Sequence, residues 1–194
     1  MVMVQQRRDR PWVFADLEAF PEDRVRYEIL AGTLSGLATP GGYHGQANSN
    51  LIDLLLPVAK AAGGKLYTAA LSVFFPMADP VRPDLTVCLT GNRAAKTEPG
   101  IVGVPDLVVE IVWPPERVHD TLTKRALYGI AGVPEYWIVD PDPQAPTVEV
   151  LALEGNALRS RSTFAGQERV ASAVLPGVGF AAADAFAGFA EIAG

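Results

Sequence analysis

The chain has one cysteine, Cys88, and two histidines, His44 and His119, in 194 residues. That scarcity excludes an intrachain disulfide framework and a cysteine-rich zinc site, and two histidines this isolated do not argue for a histidine-based one. Positive charge is also short, with 16 Lys plus Arg against 22 Asp plus Glu and a net charge of −6. Attachment to nucleic acid by charge alone is thereby excluded, because it rests on Lys and Arg displacing counterions; a local basic groove is not. No run of ~18 apolar residues is present, so no membrane partner is expected. Arg7, Arg8 and Arg10 are followed by no apolar stretch of the kind an export signal needs. These absences predict a soluble cytoplasmic protein.

What is present is the composition of a folded chain: 49% hydrophobic and 20% charged residues, which excludes disorder. The length suits a single domain, large enough to bury ~70% of the extended chain's surface without a covalent staple. Residues 25–38 hold two short apolar runs about Gly32 and read as strand, turn, strand. Ala47, Leu51, Leu54, Val58 and Ala62 have helical spacing, although Pro57 predicts a kink or an early end. Strands are expected over 66–75 (one strand or a bent pair), 84–89 and 107–112. The last does not alternate and reads as a strand covered on both faces. A helix over 117–131, closed by Gly132 and Pro134, leads to a buried strand over 136–139. Outer strands are expected after Pro146. Strand, helix, strand over 107–139 implies a parallel crossover, and hence an α/β or α+β fold with a mixed sheet.

Glu110 is the most informative residue. Five aliphatics share its strand, and an uncompensated buried carboxylate costs several kcal/mol. A metal ion, a lysine or a hydrogen-bonded partner could each compensate it; the plain alternative is an acid at an exposed strand end. Asp84, held at a strand start by Pro83, is the second candidate. Adjacent strands lie ~4.8 Å apart, so carboxylates on two of them can share one divalent cation. Asp106 also follows a proline, but four residues of strand separate it from Glu110 by ~13 Å, which makes it structural. On the wheel of the 117–131 helix, Val118, Leu122, Ala126 and Ile130 are expected on the core side. Asp120, Lys124 and Tyr128 form a stripe along its border; Asp120 and Lys124 also read as a surface i, i+4 pair. His44, near a helix start, is a candidate for contacting a phosphate or orienting water. No phosphate loop, dinucleotide fingerprint or nucleophile elbow is spelled out.

Four stretches together carry a resemblance. They are Arg82-Pro83-Asp84-Leu85; Pro105-Asp106-Leu107-Val108-Val109-Glu110-Ile111-Val112; Asp120 with Lys124 and Tyr128; and Gly132-Val133-Pro134-Glu135-Tyr136-Trp137-Ile138-Val139-Asp140. With Arg26-Tyr27-Glu28-Ile29-Leu30 and Leu175-Pro176-Gly177, the chain resembles the Uma family of restriction-endonuclease-like proteins, within the PD-(D/E)XK nuclease superfamily. The resemblance implies a mixed sheet flanked by helices, with Asp84, Glu110 and the backbone carbonyl of Ile111 as ligands of Mg²⁺ or Mn²⁺. It implies catalytic roles for Lys124, standing in for the superfamily lysine whose usual position is Val112, and for Glu28. Trp113-Pro114-Pro115 departs from the family's Ser-Pro-Ser type of stretch. The function implied is metal-dependent hydrolysis of DNA phosphodiester bonds by a homodimer. Separately, Arg117, Lys124 and Arg125 concentrate positive charge on or beside the 117–131 helix, which makes that face the candidate for DNA contact, with a solvated helix surface as the plain alternative. The alternatives are a catalytically inactive binding or assembly module on the same fold, since fold does not establish activity, and a hydrolase of smaller phosphate esters.

Overall fold

The computed structural model describes residues 10, 12–13, 16, 26–30, 32–37, 41–69, 71–76, 78–98, 100–114 and 117–192. Its centre is a six-stranded mixed sheet. In chain order the strands are β3 (Lys65–Thr68), β5 (Leu85–Cys88), β8 (Leu107–Ile111), β9 (Glu135–Asp140), β10 (Thr147–Glu154) and β11 (Ala157–Phe164). They lie in the order β11-β10-β9-β8-β5-β3. Only β8 and β9 run parallel; the other neighbours are antiparallel. The fold class is therefore the expected one, a mixed sheet flanked by helices. β1 (Arg26–Leu30) and β2 (Thr33–Leu37) form the anticipated hairpin about Gly32, whose φ of 72° suits a glycine. The 66–75 stretch is the bent pair, but its halves part company. β4 (Ser72–Phe74) joins β7 (Gly100–Val102) and β6 (Ala95–Lys96) in a small separate sheet that the sequence did not announce.

The two faces of the large sheet are covered by different helices. Helix α1 (Gly42–Ala61) lays Ala47, Leu51, Leu55 and Ala59 on Leu85, Val87, Val109, Ile111 and Trp137. Pro57 does not end it. Pro57 and Asp53, whose carbonyl loses its helical partner there, are both exposed, so water can satisfy that group. The opposite face buries Val108, Val112, Tyr136 and Ile138 beneath the crossover between β8 and β9. This crossover begins as a π-helical stretch, His119–Lys124, and continues as α2 (Arg125–Ala131), ending at Gly132 with φ 86°.

The crossover helix corrects the sequence reading. Val118, Leu122 and Ile130, expected in the core, are 68%, 62% and 65% exposed, and Ala126 is exposed with them. Lys124 and Tyr128, expected at the border, are buried. Two causes act together. The π-helical turn bonds i to i+5, which breaks the angular phase a regular wheel assumes. The buried acid of β8 also gives the lysine and tyrosine heads a partner inside. Beyond β11, the chain returns to α1 through a 3₁₀ turn (Ala182–Phe186) and the short α3 (Phe189–Ile192). Among the described residues no helix is long and apolar enough to cross a membrane.

Leu51→Ala is expected to cost about 2–5 kcal/mol through the cavity it opens under α1. In solution dilute enough to hold single chains, Leu122→Ala is expected to stay within about 0.5 kcal/mol. Urea denaturation of the two variants checks the orientation of both helices, because the regular wheel demands a large loss at Leu122.

Candidate active site

The antiparallel register of β5 and β8 pairs Leu85 with Val109. One step further along that register Asp84 stands opposite Glu110. Residues directly opposite in an antiparallel pair place their Cβ atoms ~4.5–5.5 Å apart on one face. The 26 residues between these acids are thus closed into cross-strand neighbours. Both are buried, Asp84 at 5% exposure and Glu110 at 1%.

Each acid is held by an element from a different side. Asp84 lies in the bend before β5, and its Oδ2 accepts the Ile111 backbone N–H at 2.8 Å. The same oxygen lies 3.2 Å from His44 Nε2, in the first turn of α1. Glu110 faces the crossover helix. Its Oε2 is 3.0 Å from Lys124 Nζ, and its Oε1 accepts the Tyr128 hydroxyl at 2.6 Å. Lys124, 1% exposed, and Tyr128, fully buried, stand one turn apart on the inward face. Phe75 and Tyr136 pack edge-on against the Tyr128 ring. So Glu110 is compensated by a lysine and a hydrogen bond together. Asp84, Glu110, Ile111, Lys124, His44 and Tyr128 gather at one end of the sheet.

The remaining candidates are placed elsewhere. Arg117 forms a two-pronged ion pair with Asp140, at 2.6 and 2.9 Å. Arg125 donates to the Leu158 carbonyl at 3.1 and 2.9 Å. With Lys124 turned inward, these three cations do not form one basic face of the helix. The side chains of Glu28 and Asp120 lie outside the described residues; the Glu28 backbone pairs with Ser35 in the β1–β2 hairpin. Asp106 is structural, as its distance from Glu110 suggested: its Oδ2 accepts the Leu89 N–H and the Asn92 amide, each at 2.7 Å. Glu135 is a third buried acid, 1% exposed, fully occupied in tying the C-terminal segment to β9. Trp137 Nε1, Ser172 Oγ and the Ala173 N–H all donate to it. Burial first and the Asp106 charge second push the Cys88 thiol up to about 11, which favours its protonated form at neutral pH.

Among the described residues no three His, Cys, Asp or Glu side chains form a metal-binding group. Mg²⁺ keeps several waters and takes one or two carboxylates, and its preferred donors are hard oxygens. Asp84, Glu110 and the Ile111 carbonyl are the hard-oxygen groups here that could hold such an ion.

Sequence reasoning missed the wall beside these acids. A cavity of about 450 Å³ is lined by Tyr43 and His44 from α1, Trp113 and Pro114 after β8, and Pro141 and Pro143 after β9. The departure at Trp113 was the only signal for it.

Glu110→Ala is expected to lower stability by about 3–5 kcal/mol, because it strips Lys124 of the carboxylate 3.0 Å away in a desolvated site. Glu110→Ala with Lys124→Met is expected to recover most of that loss. Denaturation midpoints that fall equally in the single and double variants would show that the two residues are not energetically coupled.

Comparison with known proteins bears on the fold and the family. A solved structure from Anabaena variabilis, described as "a putative nuclease belonging to DUF820", superposes with a TM-score of 0.70 at 22% identity, covering 91% of this chain and 98% of that one. That likeness shows the fold. No curated protein matches the chain. The family model "Uma2: Putative restriction endonuclease" matches residues 14–183, and the chain belongs to the Uma2 family.

Proposed function

We propose that the protein is a metal-dependent nuclease that hydrolyses DNA phosphodiester bonds at Asp84, Glu110 and Lys124. The observation that carries this reading is the buried placement of two cross-strand acids with a lysine ammonium 3.0 Å from one of them. Membership of a restriction-endonuclease family supports it. Mg²⁺ or Mn²⁺ held by Asp84, Glu110 and the Ile111 carbonyl would supply Lewis acidity toward the phosphoryl oxygens and make a water acidic enough to attack.

The chain's own residues prepare the site for that ion. The Ile111 N–H and His44 fix the Asp84 carboxylate from two directions, so its rotamer is set before any ligand arrives. Tyr128 does the same for Glu110. Lys124 brings a fixed positive charge into a water-poor site, where it can stabilise charge that develops on phosphoryl oxygens. Tyr128 would act through this bond by positioning the Glu110 carboxylate. Glu28 is proposed, from the resemblance alone, as a further acid of the same site. The rival reading, a nuclease fold kept for binding, predicts no Mn²⁺ binding that depends on Asp84.

Asp84→Asn is expected to abolish Mn²⁺-dependent cleavage of DNA and the calorimetric heat of Mn²⁺ binding. His44→Ala is expected to weaken either by about 10–100-fold, as loss of a group that orients a ligand does. Equal cleavage by highly purified Asp84→Asn and wild-type protein would refute the assignment.

The homodimer has one observation in its favour, the exposed apolar stripe of Val118, Leu122 and Ile130 on the crossover helix. Isolated exposed aliphatics are ordinary, whereas a contiguous stripe marks a covered surface. Sedimentation equilibrium is expected to give twice the 20.6 kDa chain mass, falling to the single mass in Leu122→Glu/Ile130→Glu. A wild-type protein of single mass at working concentration excludes the dimer.

A further inference from the structure

The cavity beside the acids has a construction the proposed reaction does not yet use. At about 450 Å³ it falls in the range of small-molecule and cofactor sites, ~300–1,000 Å³. His44 belongs both to its wall and to the Asp84 contact, so one side chain links the cavity to that acid. Trp113 follows Glu110 by three residues, which ties the opposite wall to the same strand. Tyr43 is braced by Phe189, with ring centroids 4.9 Å apart. Pro114, Pro141 and Pro143 have fixed φ and offer no N–H, so much of the remaining wall is rigid and apolar. The charged groups at the rim are the Arg117–Asp140 pair, whose charges offset each other, and the Asp142 carboxylate.

Charge and shape together select the occupant. The chain carries a net charge of −6, and the three cations of the crossover helix are engaged, Lys124 by Glu110, Arg117 by Asp140 and Arg125 by the Leu158 carbonyl. A duplex held along its phosphates needs a row of unengaged cations. A flat base held by an aromatic wall does not, because stacking is short-ranged and every base has a π face. Bases of an intact duplex are already stacked and cannot enter a cavity without being flipped out.

We propose that this cavity holds one unpaired nucleotide next to the scissile phosphate, its base stacked on Trp113, so that single-stranded or frayed DNA is favoured over fully paired duplex. This rests on the nuclease reading above for the position of the phosphate, and on the cavity for the base.

The tryptophans provide the probe. Trp12 is 4% exposed and Trp137 fully buried, whereas Trp113 is half-buried at the cavity wall. In EDTA, where no turnover occurs, a short oligothymidylate is expected to quench the wild-type fluorescence saturably. A blunt hairpin duplex and an abasic strand are expected not to. Anisotropy of a labelled oligothymidylate should show Trp113→Ala weakening binding by roughly 5- to 150-fold, the equivalent of the usual loss per stacked base. Trp113→Phe should restore most of it, and with Mn²⁺ the loss should appear in KM more than in kcat. Equal affinity for duplex and single strand, equal affinity for the abasic strand, or unchanged binding by Trp113→Ala overturns the proposal. Thymidine monophosphate binding as tightly as the oligomer overturns the assignment to a strand. Cleavage that needs Asp84 but ignores Trp113→Ala sinks this inference and leaves the nuclease; Trp113-dependent binding by a protein that cleaves nothing does the reverse.

Discussion

A lysine ammonium and a glutamate carboxylate, both almost wholly removed from water, meet 3.0 Å apart between β8 and the crossover helix. Much of the molecule is arranged around that pair. Desolvating two charges costs as much as their attraction returns, so a buried pair of this kind is weak evidence for stability. Its consequence here is geometric. The side of the crossover helix that carries Lys124 and Tyr128 must face the sheet for both heads to reach Glu110. The aliphatic stripe of Val118, Leu122 and Ile130 is then turned to the outside. Apolar burial alone would have chosen the other rotation.

The acids of this sheet fall into two kinds, distinguished by what surrounds them. Asp106 and Glu135 accept several backbone and side-chain donors and stitch loops to strands. Asp84 and Glu110 sit across from each other, held by His44 and the Ile111 N–H on one side and by Tyr128 and Lys124 on the other. Two buried carboxylates are costly without compensation, and here each has its own donors. Near the same strand end lies an aromatic and proline-walled cavity, lined by residues that follow β8 and β9 and by the first turn of α1.

The sequence by itself determined the mixed sheet, the parallel crossover and the importance of Glu110. Those features are local: a non-alternating apolar run with one acid in it, glycines and prolines at element ends, a helix long enough to return the chain. It also singled out Asp84, because Pro-Asp at a strand start, 26 residues before a second acid-bearing strand, is visible without coordinates. Only the tertiary structure decided that the strands after Asp84 and through Glu110 pair with Leu85 opposite Val109, since strand register depends on pairing between distant segments. Only it decided which way the crossover helix faces, because the π-helical turn and the buried carboxylate override the wheel that side-chain hydrophobicity draws. The wall of Tyr43, Trp113, Pro141 and Pro143 was hidden for the same reason. Its members come from three separate segments, and a cavity is a property of the space between elements.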